Sequence, residues 1–206
     1  MGKAWIFDLD GTLVRTQTEF HATAETEVLK ECGIIVNPED ITVRFSGVHT
    51  LEVFRQLAPH CDAHELLAEK WKYMIRLANT KPIHPIECAP QLIHRLYTRG
   101  VPMGIASASP TAWIVRCLTS IRATPYFTCH ASVDEVAQGK PAPDVFLLAA
   151  KRMEVDAADC VAVEDGEAGV YAALAAGMQT FWLTESDKVI PGAVKIDSLV
   201  QLIAAL

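Results

Sequence analysis

Four short, unbroken apolar runs constrain the fold of this chain most: Trp5-Ile6-Phe7, Val101 to Ala106, Val161-Ala162-Val163 and Thr180-Phe181-Trp182-Leu183. A strand with one wet face alternates apolar and polar residues. Continuous apolarity instead suits strands covered on both faces of a parallel sheet. Helical patterns lie between the runs, at roughly 88–99, 110–121, 143–153, 167–176 and 197–205. This alternation predicts an α/β core built on a doubly wound parallel sheet. Local punctuation agrees. Ser109-Pro110 reads as an N-cap followed by proline at the first helical position. Gly100 and Gly177 each follow a helical pattern and suit the left-handed turn that ends it.

The stretch 15–83 breaks the alternation and is too long for a structureless loop in a compact domain. Leu67, Trp71, Met74, Ile75 and Ala78 recur at the spacing of one helical face. Phe20, Ala24 and Val28 do the same, and Gly33 is placed to close that helix. We therefore expect a small, all-helical domain over 15–83, inserted into a core made of 1–14 and 84–206, with Pro82 and Pro85 marking the return.

Composition narrows the partners. Of 206 residues, 50% are hydrophobic and 21% charged, which excludes general disorder. The formal net charge of −7 argues against a nucleic-acid backbone as partner. Six cysteines include no Cys-x-x-Cys pair, and they are expected as reduced thiols, although an even count leaves disulfides open. Acidic residues arrive before a signal-peptide core forms, and no run reaches the ~18 apolar residues of a membrane span. A soluble, cytoplasmic protein is expected, with no membrane partner, as a monomer or weak homodimer.

Four motifs stand where the runs end. In Phe7-Asp8-Leu9-Asp10-Gly11-Thr12-Leu13, two carboxylates leave a strand on one side, at the sheet edge where open α/β sheets place ligands. Their repulsion is relieved by a hard divalent cation. An aspartate turn with Gly11 supplying the tight backbone is the plainer alternative. Ser107 closes the second run, and its hydroxyl and the nearby amides, Ala108 among them, can point at an anion. A serine in an ordinary strand-to-helix turn reads the same. In Gly139-Lys140-Pro141-Ala142-Pro143-Asp144, two prolines restrict the loop after Lys140, whose ammonium suits phosphate charge; most lone lysines are merely solvated. Glu164-Asp165-Gly166 sets carboxylates at the end of a third run, with helix capping by Asp165 as the local alternative.

In this order, the motifs Phe-Asp-Leu-Asp-Gly-Thr-Leu, Ser-Ala-Ser, Gly-Lys-Pro-Ala-Pro-Asp and Val-Glu-Asp-Gly-Glu-Ala-Gly resemble the haloacid dehalogenase superfamily, in the branch similar to β-phosphoglucomutase and phosphoglycolate phosphatase. The resemblance covers nearly the whole chain, and the helical insert looks like that family's cap domain. It implies a phosphatase dependent on magnesium (Mg2+) that acts on a small phosphorylated metabolite. Asp8 would form an aspartyl-phosphate. Asp10 would be general acid, then base, and would lend its backbone carbonyl to the metal. Ser107 would hold a phosphoryl oxygen and Lys140 would neutralise charge. Asp165 would ligate Mg2+, and Glu164 would ligate it or support its waters. This chemistry asks mainly for alignment and charge neutralisation.

Departures from the family pattern refine the expectation. Arg15-Thr16 replaces the usual Asp-Ser or Asp-Thr, and His21 lies one position from where family members often carry histidine. In the cap loop Phe45-Ser46-Gly47-Val48-His49-Thr50, Thr50 takes the place of an arginine that grips a second phosphate in β-phosphoglucomutase. Pro110 replaces a lysine there. His49 and Thr50 are the candidate specificity residues, beside Arg44 and Trp71. Missing cations argue against a phosphosugar mutase, which stays as an alternative. A non-catalytic binding protein on the same fold is a second.

Overall fold

The computed structural model describes residues 4–45 and 49–206. The chain divides into two compact units, 1–14 with 84–206 and 15–83.

The first unit is a six-stranded sheet in the order β3-β2-β1-β4-β5-β6, with every neighbouring pair parallel. The strands are β1 (Ala4–Phe7), β2 (Met103–Ser107), β3 (Cys129–Ser132), β4 (Cys160–Glu164), β5 (Gln179–Leu183) and β6 (Ala193–Ile196). β1, β2 and β4 are buried at every position, as expected of their apolar runs, whereas the fourth run, in β5, alternates buried with more exposed positions beside the edge strand β6. Chain order reverses beside β1, which pairs with β2 on one side and β4 on the other. Such a switch point opens a crevice at the carboxyl ends of the strands. Phe7 lies level with Val163, so Asp8 and Glu164 emerge together.

Helices α5 (Ala89–Thr98), α6 (Thr111–Ser120), α7 (Asp144–Arg152), α8 (Glu167–Ala175) and α9 (Val200–Ala205) belong to this unit, matching the expected segments within a few residues. One core cluster joins Ile6, Ala106, Ala162, Phe146, Ala149 and Ala173, tying three central strands to α7 and α8. Gly100 and Gly177 have φ of 68° and 80°, the left-handed turns expected of them. The Ser109 cap is not found. Pro110 is the N-cap of α6, and the Ser109 hydroxyl donates instead to Asp10. The helix starts at Thr111, so Ser109 stands one residue outside the cap position.

The second unit holds α1 (Thr23–Glu31), α2 (Pro38–Arg44), α3 (Thr50–Leu57) and α4 (Ala63–Leu77), with a π-helical turn, Gln17–Ala22, leading into α1. Ala22, Val28, Leu29, Ile41, Phe54 and Leu66 form its core. Gly33, at φ 78°, follows α1 as expected. The buried spine of α4 is Leu66, Lys70 and Met74, continued by Ala78, rotated one position from the expected face. Leu67, Trp71 and Ile75 flank it, half-buried. Cys32 and Cys61 form a disulfide from the end of α1 to the turn before α4, with Cα atoms 6.9 Å apart. The expectation of reduced thiols is thus corrected for this pair, whose separation of 29 residues carries no pairing signal by itself. Cys88, Cys117, Cys129 and Cys160 are free. Among the described residues no helix is long and apolar enough to cross a membrane.

Candidate active site

β1 delivers Asp8 to the carboxyl edge, where its amide donates to the Val163 carbonyl at 2.9 Å. β4 delivers Glu164 beside it, and Asp165 follows. One carboxylate oxygen from each of Asp8, Glu164 and Asp165 lies within 4.8 Å of the others. Lys140 reaches this group from the loop before α7. Its Nζ donates to Asp8 Oδ1 at 2.6 Å and to Glu164 Oε1 at 2.5 Å. The peptide bond from Lys140 to Pro141 is cis.

The carboxylates are held by close backbone. Gly166 N donates to Glu164 Oε2 at 2.7 Å. A side chain at Gly169 would collide with the Glu164 carboxylate, so only glycine lets α8 pass this close. Gly11, at φ 96°, leaves room for the Asp165 carboxylate in the same way. Thr12 Oγ1 donates to Asp165 Oδ1 at 3.0 Å, and Trp182 Nε1 donates to the Asp165 carbonyl at 2.9 Å.

Electrostatics follow from burial. The Asp8 carboxyl is pushed well above its ordinary value by burial and by Glu164, against the pull of Lys140. Asp165 rises from 3.8 to about 7, first by burial and then by Glu164. Burial alone lowers a lysine, yet Asp8 and Glu164 override it and hold the Lys140 ammonium above its ordinary range. Two buried carboxylates therefore share one ammonium, with the half-buried Asp165 carboxylate beside them, a set that favours a second cation. All three offer hard oxygen donors, the chemistry Mg2+ prefers.

Asp10 does not join this cluster through its side chain. Its carboxylate turns toward α6, where Ser109 Oγ donates to Oδ2 at 2.6 Å and Trp113 Nε1 donates to Oδ1 at 2.8 Å. The argument that Asp8 and Asp10 share a cation through paired carboxylates is corrected accordingly. The chain turns after Asp8, with Gly11 N bonded to the Val14 carbonyl, so the two-residue register of the strand no longer holds. Ser107, buried at the end of β2, accepts from Ser109 N at 3.0 Å, and Ala108 is exposed beside it. Asp8, Glu164, Asp165 and Lys140 are thus brought into contact, with Ser107 and Ala108 one strand away.

His49 and Thr50 lie in the helical unit. His49 caps α3, its Nδ1 accepting from Leu51 N at 3.3 Å, and burial followed by Lys70 lowers its imidazole. Thr50 Oγ1 donates to Glu25 Oε1 at 2.8 Å and accepts from Lys70 Nζ at 2.8 Å. Lys70 also pairs with Glu25 at 2.9 Å and meets His21 Nδ1 at 3.1 Å. Burial raises the Glu25 carboxyl, but Lys70 outweighs it and the net shift is down. The argument from missing cations overlooked Lys70, a lysine on a buried face whose charge Glu25 matches. Arg44 is exposed and lies over the Phe45 ring; Trp71 lies 4.7 Å from Lys70 Nζ. Ser46, Gly47 and Val48 lie outside the described residues. Thr12, Ser109, Trp113, Trp182 and Lys70 were missed as partners of site residues. Only Thr12 and Ser109 had a signal, their nearness to the motifs.

A family model described as haloacid dehalogenase-like hydrolase matches residues 5–183. The chain is 32% identical over 189 residues to the β-phosphoglucomutase of Bacillus subtilis, covering 85% of this chain and 80% of that protein. It is 31% identical over 177 residues to a fructose-1-phosphate phosphatase of Escherichia coli, covering 84% and 92%. The crystal structure of CbbY from Rhodobacter sphaeroides in complex with phosphate shares the fold at a TM-score of 0.83 and 24% identity, covering 98% and 96%.

Proposed function

The chain belongs to the haloacid dehalogenase-like hydrolases; on that premise we propose that it is a phosphoric monoester hydrolase, a Mg2+-dependent, cytoplasmic phosphatase of a small sugar or polyol phosphate, working through an aspartyl-phosphate on Asp8. The observation that carries this reading is the contact of Asp8 with Lys140 beside Glu164 and Asp165. A buried carboxylate held by an ammonium is oriented for attack on phosphorus, and a phosphoryl group arriving there meets positive charge.

Asp8, Glu164 and Asp165 would hold Mg2+, with the Asp10 carbonyl as a further donor. The cation would supply charge neutralisation for the phosphoryl oxygens. Lys140 screens Asp8 from Glu164 and then partners a phosphoryl oxygen, while Ser107 and the Ala108 amide take others. In the first half-reaction the bond from Asp8 to phosphorus forms and the bond to the leaving oxygen breaks, with Asp10 giving that oxygen a proton. In the second, water attacks phosphorus, Asp10 takes its proton and the Asp8 carboxylate leaves. His49 and Thr50 are the proposed selectors of the organic part of the substrate.

One observation favours a second reading, a phosphosugar mutase: the 32% identity to a β-phosphoglucomutase. The deciding experiment incubates the protein with fructose 1-phosphate, hexitol phosphates, phosphoglycolate and both anomers of glucose 1-phosphate. It follows inorganic phosphate and glucose 6-phosphate, with Mg2+ or with EDTA. Phosphate release that needs Mg2+ and no bisphosphate activator is expected. Fast isomerisation with negligible phosphate release would make the protein a mutase.

A further inference from the structure

The Asp10 carboxylate is gripped at both oxygens. Ser109 Oγ donates to Oδ2 at 2.6 Å and Trp113 Nε1 to Oδ1 at 2.8 Å. The three side chains are buried together, at 9%, 3% and 1% exposure. Separate donors on the two oxygens set both the direction and the plane of the carboxylate. Ser109 is itself fixed, because its amide donates to Ser107 Oγ. Trp113 sits in the first turn of α6, buried on the face of the helix that carries Ile114 and Cys117.

We propose that Ser109 and Trp113 are positioning residues for Asp10, holding its carboxylate in one orientation through both halves of phosphoryl transfer. The proposal rests on the reading of Asp10 as general acid and base. Its two donors do different work. An indole N–H only donates, whereas a hydroxyl turns to donate or accept. The indole N–H therefore holds Oδ1 as its acceptor at every stage, while the Ser109 hydroxyl can turn when Oδ2 carries the transferable proton, which we place there. In the first half-reaction the proton on Oδ2 passes to the leaving oxygen as its bond to phosphorus breaks and the bond from Asp8 to phosphorus forms. In the second, attacking water returns a proton to Oδ2 as the bond from Asp8 to phosphorus breaks. Asp10 ends as it began. An acid held in one place makes the proton available where the leaving oxygen develops charge, and loss of that alignment costs rate rather than binding.

The test compares Trp113→Phe, which deletes the N–H and keeps an aromatic ring, with Ser109→Ala, the smaller deletion should the first fail to fold. Asp10→Asn is the reference. With the most rapidly hydrolysed sugar phosphate of the panel, each clamp variant should lose kcat by about 10-fold while KM moves less than about two-fold. With p-nitrophenyl phosphate, the initial burst of nitrophenolate should keep its rate within about two-fold, because that leaving group needs no proton. The phosphoenzyme should then decay about 10-fold more slowly, since its hydrolysis uses the same carboxylate. Equal losses in the two first steps, or no loss, while Asp10→Asn shows the sugar-selective loss, would overturn the clamp and leave the role of Asp10 standing. An Asp10→Asn variant without that selectivity would remove the role of Asp10, and the clamp with it.

Discussion

At Lys140 a single buried ammonium separates two carboxylates, and the site changes character if it is removed. Lys140→Met leaves Asp8, Glu164 and Asp165 within 4.8 Å of one another without their cation. Breaking such a buried group from one side costs about 3–5 kcal/mol, so urea unfolding in EDTA should show a loss of that order, and turnover should vanish. Asp8→Asn should do the reverse to stability. The Asp8 carboxyl is already pushed up by burial and Glu164, so a neutral amide removes an unfavourable charge. The variant should melt no lower than the parent at pH 8 in EDTA and yet form no phosphoenzyme. Recovery of label on another residue would remove the nucleophile assignment. Asp165 contributes to the pH dependence, in the same direction as the raised Asp8 carboxyl. The Asp165 carboxyl stands at about 7 when folded against 3.8 ordinarily, so the folded metal-free protein holds a proton the unfolded chain has released. Where the folded state binds more protons, unfolding free energy falls as pH rises, here from about 4 to about 7. Melting of the EDTA-treated protein across that window checks the slope.

Among the elements, α8 passes its glycine against a charge. Gly169→Ala places a methyl group on the Glu164 carboxylate, which is pinned by Lys140 and by Gly166 N. The carboxylate must move, and Mg2+ affinity should fall by about 10–100-fold, read as a shift in the Mg2+ concentration for half-maximal activity. In the helical unit, α1, α3 and α4 meet through Glu25, Thr50 and Lys70. Lys70→Met alone strands Glu25 and should destabilise the protein by about 3–5 kcal/mol, whereas Lys70→Met with Glu25→Leu should recover most of that loss. Denaturant midpoints of the two variants measure the difference.

Over the whole molecule, a cation that binds only the folded state stabilises it by mass action. Mg2+ at 100 times its dissociation constant adds about 2.7 kcal/mol, or roughly 5–10 °C in Tm for a chain of this length. The increment should shrink below pH 6, where Asp165 keeps its proton and competes with the metal. An equal Tm in EDTA and in Mg2+ at pH 8 would remove the metal from the site.

What the amino-acid order determined alone was local. Both-face burial wrote β1, β2 and β4 as continuous apolar runs, and each ended on a residue that now lies at the carboxyl edge. β3 and β6 escaped notice because they flank the sheet: Cys-His-Ala-Ser and Ala-Val-Lys-Ile are partly exposed and need no such run. α2 and α3 escaped because few of their residues are buried, Ile41 in one and Val53 and Phe54 in the other. Which carboxylates meet was decided by tertiary structure. Asp8 and Asp10 are two apart in sequence, yet Asp8 joins Glu164 and Asp165 while Asp10 turns to Ser109 and Trp113. Strand spacing states where a side chain starts, and only the turn at Gly11 and the donors across the sheet settle where its charge ends. Lys70 follows the same logic. It lies on the buried face of α4, and only a carboxylate 45 positions away on another helix makes that burial tolerable.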